Sequence, residues 1–180
     1  MEIVKYGNPV LRAKGARIET ITEEIRALAA AMIETMNTAN GVGLAAQQVG
    51  HALQLAIVDV ADVEDRPSVM RVNGAEVNIA DWMPMVLVNP VLELGKEKEF
   101  GVEGCLSFPE ISADIQRSVV VKAKAQLIDG REVEFEAQGF LARALQHEVD
   151  HLNGILFIDR MNSATKVMLA SRLKRLQKGG

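Results

Sequence analysis

Between Leu145 and Gly154 the chain reads LQHEVDHLNG, with His147 and His151 four residues apart and Glu148 directly after the first. Residues four apart on an α-helix lie one above the other, so both imidazoles point the same way. The spacing predicts a helix from near Gly139 to near Gly154, with Phe140 and Ala144 extending the histidine stripe toward its start. Leu141, Leu145 and Leu152 form an apolar seam roughly 100° around the axis, and Glu148 projects between seam and stripe. Arg143, Gln146 and Asp150 are left for a narrow polar face. A helix with two apolar or functional walls has to be enclosed by other elements, and the rest of the chain must supply them.

The remaining segments have the patterns to do so. TEEIRALAAAMIETMNTANG reads as a helix with Thr22 as N-cap, Glu23 and Glu24 in the first turn, and Gly41 ending it. Ile25, Leu28, Met32 and Met36 mark its inner face. LQLAIVDV (53–60) and MVLVNPVLEL (85–94) are strand-like, and residues 61–84 between them read as a long surface loop with room for a small ribbon. SVVVKAKAQLIDGREVEFEA (118–137) predicts a hairpin. A three-residue loop, 129–131, would pair Leu127 with Val133 and Lys124 with Glu136 and keep the two faces unmixed. SATKVMLASRLKRLQK predicts a short basic amphipathic helix at the C-terminus. The expected fold is α+β, one domain over residues 1–180. Small antiparallel sheets pack around the central HExxH helix, with an N-terminal helix and a short C-terminal one.

Composition narrows the function classes. A net charge of −4 argues against a globally basic nucleic-acid binder. Charges break every apolar run well short of a membrane span, and MEIVKYGNPVLRAK has no apolar core of signal-peptide length. The single Cys cannot form an internal disulfide and fits a reducing compartment, so the expected location is the cytoplasm.

HExxH on a helix is a divalent-metal motif, and a catalytic site needs a third protein ligand. The usual downstream donors are missing: Phe157 stands where a third His would be, and Asp159 is the one carboxylate side chain after His151. Upstream, Cys105 in EGCLSFP is the natural candidate, giving a Cys-His-His set with an open position for water. Two alternatives stay open at this stage. Asp159 could be the third ligand, or His51 could close a purely structural site.

GVGLAAQQVG (41–50) offers GxGxxA, but it follows a helix rather than a strand, so the dinucleotide-binding reading fails. Its small residues suit a close-packed loop. The same smallness would let Gly43 and its neighbours approach a substrate backbone, with the amide of Gln47 or Gln48 aimed at a developing oxyanion.

Taken together, Gly41–Gln48, Glu103–Ser107 (EGCLS) and His147–His151 (HEVDH) resemble the three motifs of the peptide deformylases, in the same order, and YGNPVLR resembles that family's opening. The resemblance spans about residues 3 to 160. It implies Cys105, His147 and His151 as metal ligands, Glu148 as general base and then acid, and the Gln48 side chain and Leu106 N–H as oxyanion donors. The implied substrate is the formyl-methionyl end of a nascent peptide. Phe140 and Ala144, on the histidine wall, together with Val42 and Gly43, are the expected substrate-binding residues. Ferrous iron is the implied native ion, with zinc, nickel or cobalt able to replace it. Some family members contact the ribosome through a C-terminal helix, which points to Lys166, Arg172, Lys174 and Arg175 here, with no sequence-specific nucleic-acid binding.

Overall fold

The computed structural model describes residues 1–179. Helix α1, Glu23–Thr38, starts where Thr22 accepts a hydrogen bond from the Ile25 N–H (3.3 Å). Its end differs from expectation. Asn40, not Gly41, adopts the left-handed conformation (φ 56°), its N–H bonds to the Asn37 carbonyl, and the Gly41 N–H reaches Met36 O. This is a Schellman ending, for which Asn is tolerated in place of Gly. Gly41 is needed for another reason: a Cβ there would press on the Leu106 side chain. Met32 and Met36 are fully buried, and Ile25 and Leu28 pack at the edge of the same cluster.

Seven antiparallel strands form the main sheet, in the order β1-β2-β5-β8-β9-β3-β4: β1 Gly43–Ala45, β2 Leu55–Val58, β3 Ser68–Val72, β4 Ala75–Glu76, β5 Met85–Leu94, β8 Val120–Leu127 and β9 Glu132–Gly139. A second sheet holds only β6 Lys98–Cys105 and β7 Phe108–Ser118. Helix α2, Phe140–Leu152, packs against β1, β2, β3 and β9 of the first sheet and β7 of the second. The α+β expectation holds, with α2 in the central position.

Three segments depart from the sequence reading. The β8–β9 loop has three residues as expected, but they are 128–130: Leu127 N–H bonds Arg131 O (2.8 Å), Val133 faces Ala125, and Lys124 faces Glu134. The shift puts Gly130 (φ 93°) at the last loop position, which requires a left-handed residue that Arg131 would fill badly. The slip spans two residues along one strand, so the same side chains still face inward. Residues 61–84 are more than a surface loop with a ribbon. β3 and β4 are joined by Asn73-Gly74, both at positive φ, and β3 pairs with β9 and buries Met70 in the core. The β6–β7 hairpin is a further difference from the sequence reading, although Ile111, Ala113 and Ile115 alternate with polar residues.

Helix α3, Ser163–Gly179, covers the expected segment and rests Leu169, Leu173 and Leu176 on a cluster around Phe108 and Phe157. Among the described residues, no helix is long and apolar enough to cross a membrane.

Candidate metal centre

Helix α2 brings His147 and His151 to one wall, 1–8% exposed, with ring centroids 5.1 Å apart. Cys105 closes the group from the last position of β6, its Sγ 3.3 Å from His151 Nε2. The ligand atoms of all three residues lie within 4.8 Å of one another, and among the described residues they are the one such group. One thiol and two imidazoles in this arrangement suit a first-row divalent ion with a coordination position left over. The rival donors are elsewhere. Asp159 is held by Arg12 (2.6 Å) and the Leu156 N–H, and His51 is exposed and outside the group.

Each neighbour of this group has a physical role that the local sequence explains. Glu103, two residues before Cys105 on the same strand face, accepts from His147 Nδ1 at 2.8 Å, which leaves Nε2 of that ring free. Burial alone would raise Glu103. Arg117 and His147 outweigh it and hold the carboxyl well below the usual carboxylate range. For His147, burial is outweighed by Cys105 and Glu103, and the ring is raised well above the ordinary imidazole value. His151 goes the other way, pushed well below by burial and then by His147. Burial pushes the Glu148 carboxyl up to about 7, with His147 opposing and Glu103 adding to the rise. Glu148 Oε2 is buried without a partner, as is His151 Nδ1. Gly43 makes room for Glu148, because a Cβ at that position would collide with the carboxylate.

The polar face of α2 corrects the sequence reading. Arg143, Gln146 and Asp150 do not face solvent; each is at most 9% exposed. Arg143 donates to Glu103 (2.8 Å) and the Ile115 carbonyl, Gln146 bonds both backbone groups of Ser118, and Asp150 accepts from Arg117 and Arg160. The β6–β7 hairpin supplies all of these partners but Arg160, so the network could not be read from the helix alone.

A cavity of about 660 Å³ opens beside the group, lined by Cys105 and His147. Val42, Gly43, Gln48, Leu106, Phe140, Ala144 and Glu148, all singled out in the sequence, line it. The two glutamines divide. Gln47 ties Ala13 and Leu152 carbonyls together away from the cavity. Gln48 has its Oε1 fixed by the Ala45 N–H (3.0 Å), which turns its Nε2 toward Cys105 Sγ (3.5 Å) and Ser107 Oγ (3.2 Å). One lining residue had no sequence signal: Arg66, from the 61–84 segment, lies 4.3 Å over the Phe140 ring and donates to Val102 O (2.9 Å).

The polypeptide deformylase family model matches residues 1–167. Over 179 residues the chain is 42% identical to a peptide deformylase of Methylacidiphilum infernorum, covering 99% of this chain and 94% of that protein. The crystal structure of Arabidopsis thaliana peptide deformylase 1B in complex with an inhibitor aligns with a TM-score of 0.84 at 37% identity, over 99% of this chain and 91% of that one. The Thermotoga maritima peptide deformylase structure aligns at 0.74 and 39% identity, over 89% and 97%. Motif order, matched length and fold agree, and the chain belongs to the polypeptide deformylase family.

Proposed function

We propose that this chain is a metal-dependent hydrolase that removes the N-terminal formyl group from newly made polypeptides and releases formate. The observation that carries the reading is the convergence of Cys105, His147 and His151 beside a buried Glu148 whose Oε2 has no partner. These three residues would hold the ion. When bound, a divalent ion supplies Lewis acidity, which makes water acidic enough to lose a proton near neutral pH and polarises a carbonyl.

The chain's own residues do the rest. Glu148 Oε2 accepts the proton from the attacking water. As the formyl carbon becomes tetrahedral, its oxygen gains charge, and the Gln48 Nε2 and Leu106 N–H donate to it. The C–N bond then breaks, and Glu148 returns its proton to the departing amine, leaving formate and a free N-terminus. Phe140, Ala144 and Val42 form the apolar slot for the methionine side chain, whose soft thioether suits such a wall. β1 and β6 are both end strands and both line the cavity, so an extended peptide has backbone partners on either side. Gly43, on β1, keeps that backbone approach unobstructed.

Ferrous iron is the ion we assign in the cell. The donor set also suits zinc, nickel or cobalt. The exposed cations of α3, Lys166, Lys174 and Arg175, support a transient, salt-sensitive contact with ribosomal phosphates, while Arg172 is engaged by the Glu110 carbonyl. A single Cys and the lack of a spanning helix among the described residues support a cytoplasmic location.

The test is formate release from a short formyl-methionyl peptide, run with metal analysis. Formate without internal cleavage, in proportion to bound metal, is the expected result; internal cleavage or metal without turnover would overturn the reading. Loss of activity under peroxide, restored by ferrous ion, is expected for iron, and stable activity would count against it.

A further inference from the structure

A second cavity, of about 560 Å³, opens along another side of α2 and shares no lining residue with the first. Its floor is the outer half of β5. The neighbouring strand β2 covers β5 only as far as Val88, and a bulge follows; beyond it, Val91–Leu94 pair with β8 alone. Among the described residues, no other backbone hydrogen bond reaches residues 90–94. A strand edge is therefore open inside a concave site. Val91 and Leu94, which line it, are 65% and 55% exposed.

The walls are mostly cationic; Glu93, on the open segment itself, is exposed but does not line the cavity. Lys14, Arg17, Lys98, Arg117 and Arg160 line the cavity against a single carboxylate, Asp150. Arg117 and Arg160 both bond to that carboxylate. Lys14, Arg17 and Lys98 are left to face the opening, and Arg17 has only the solvent-exposed Glu19 at 3.8 Å. An open edge templates another strand, and cations beside it select an acidic one. A second copy fits badly, since a two-fold edge-to-edge pairing sets like surfaces, and so the same cations, against each other.

We propose that this cavity docks an extended acidic peptide segment of a partner protein, which adds as a strand to residues 91–94 of β5 and rests its apolar side chains on Leu92 and Leu94, which share one face of the strand. The site is independent of formate release. The probe is a labelled octapeptide alternating glutamate and valine, titrated by fluorescence anisotropy against the full, metal-loaded chain, with a lysine–valine octapeptide as control. Saturable, salt-sensitive binding of the acidic peptide alone is expected. The double variant Arg17→Glu/Lys98→Glu and the variant Leu94→Glu, which sets a like charge on the contact face, should each weaken it by about tenfold or more. Both alter exposed side chains, and unchanged formate release would show that the variants fold. The proposal fails if binding is absent, if neither variant changes it, or if the lysine peptide binds as well. Self-association through this face, or tighter binding of single-stranded RNA than of the acidic peptide, would also overturn it.

Discussion

Helix α2 carries two buried polar faces, and they are built on opposite principles. On one, His147, Glu148 and His151 converge with Cys105, and two of the buried atoms, Glu148 Oε2 and His151 Nδ1, have no partner. On the other, Arg143, Gln146 and Asp150 find partners for every buried side-chain polar atom, in a network that includes Glu103, Arg117, Ser118 and Arg160. Unsatisfied buried polar atoms are costly and therefore rare, so Glu148 Oε2, on the cavity wall, marks where a reactant belongs, whereas a third such atom, Gln47 Oε1, lies away from the cavity. The saturated face does the complementary job of fixing the helix and, through Glu103, aiming the His147 ring. Glu103 joins the two: it accepts from Arg117, Arg143 and His147 at 2.8 Å each.

The difference gives tests in which one face should alter rate and the other stability. Glu148→Ala should have the largest effect, lowering turnover by about 10²–10⁴-fold while metal content and melting temperature hold; near wild-type turnover would erase the distinction. Glu103→Ala leaves Arg117 and Arg143 buried without their shared anion. It should cost about 3–5 kcal/mol in chemical denaturation and loosen metal binding about 10–100-fold. Gln48→Ala is expected to slow formate release by about 10²–10³-fold, mostly in kcat, with little change in stability. A drop in stability with kcat intact would instead assign Gln48 to the scaffold beside Gln47. The smallest change is expected for Arg160→Gln. Its side chain is 44% exposed and Asp150 keeps Arg117, so denaturation should register about 0–1 kcal/mol and kinetics nothing.

Much of this was legible in the chain. The extent of α2, the Thr22 cap, β5 and the antiparallel α+β class follow from local periodicity and capping chemistry, because helices and strands are selected by contacts a few residues apart. The candidate site was legible too, since HEVDH fixes two donors by helical geometry and the lone thiol limits the third. Two turns carry local signals of their own: Asn73-Gly74 announces the β3–β4 turn, and Gly130 fixes the hairpin loop. What could not be read is pairing between distant segments. Arg143, Gln146 and Asp150 look like a solvent face until β7 supplies their partners. Nothing near Arg66 shows that its guanidinium will lie over Phe140.

The sequence by itself therefore determined which residues could bind an ion and on what element two of them ride, because four-residue spacing and side-chain chemistry are local properties. Only the tertiary structure decided that Cys105 meets the histidines, that one polar face of α2 is saturated and the other left open, and that β5 keeps a free edge. Those outcomes depend on which strands come together, and burial then sets which polar groups must be paired.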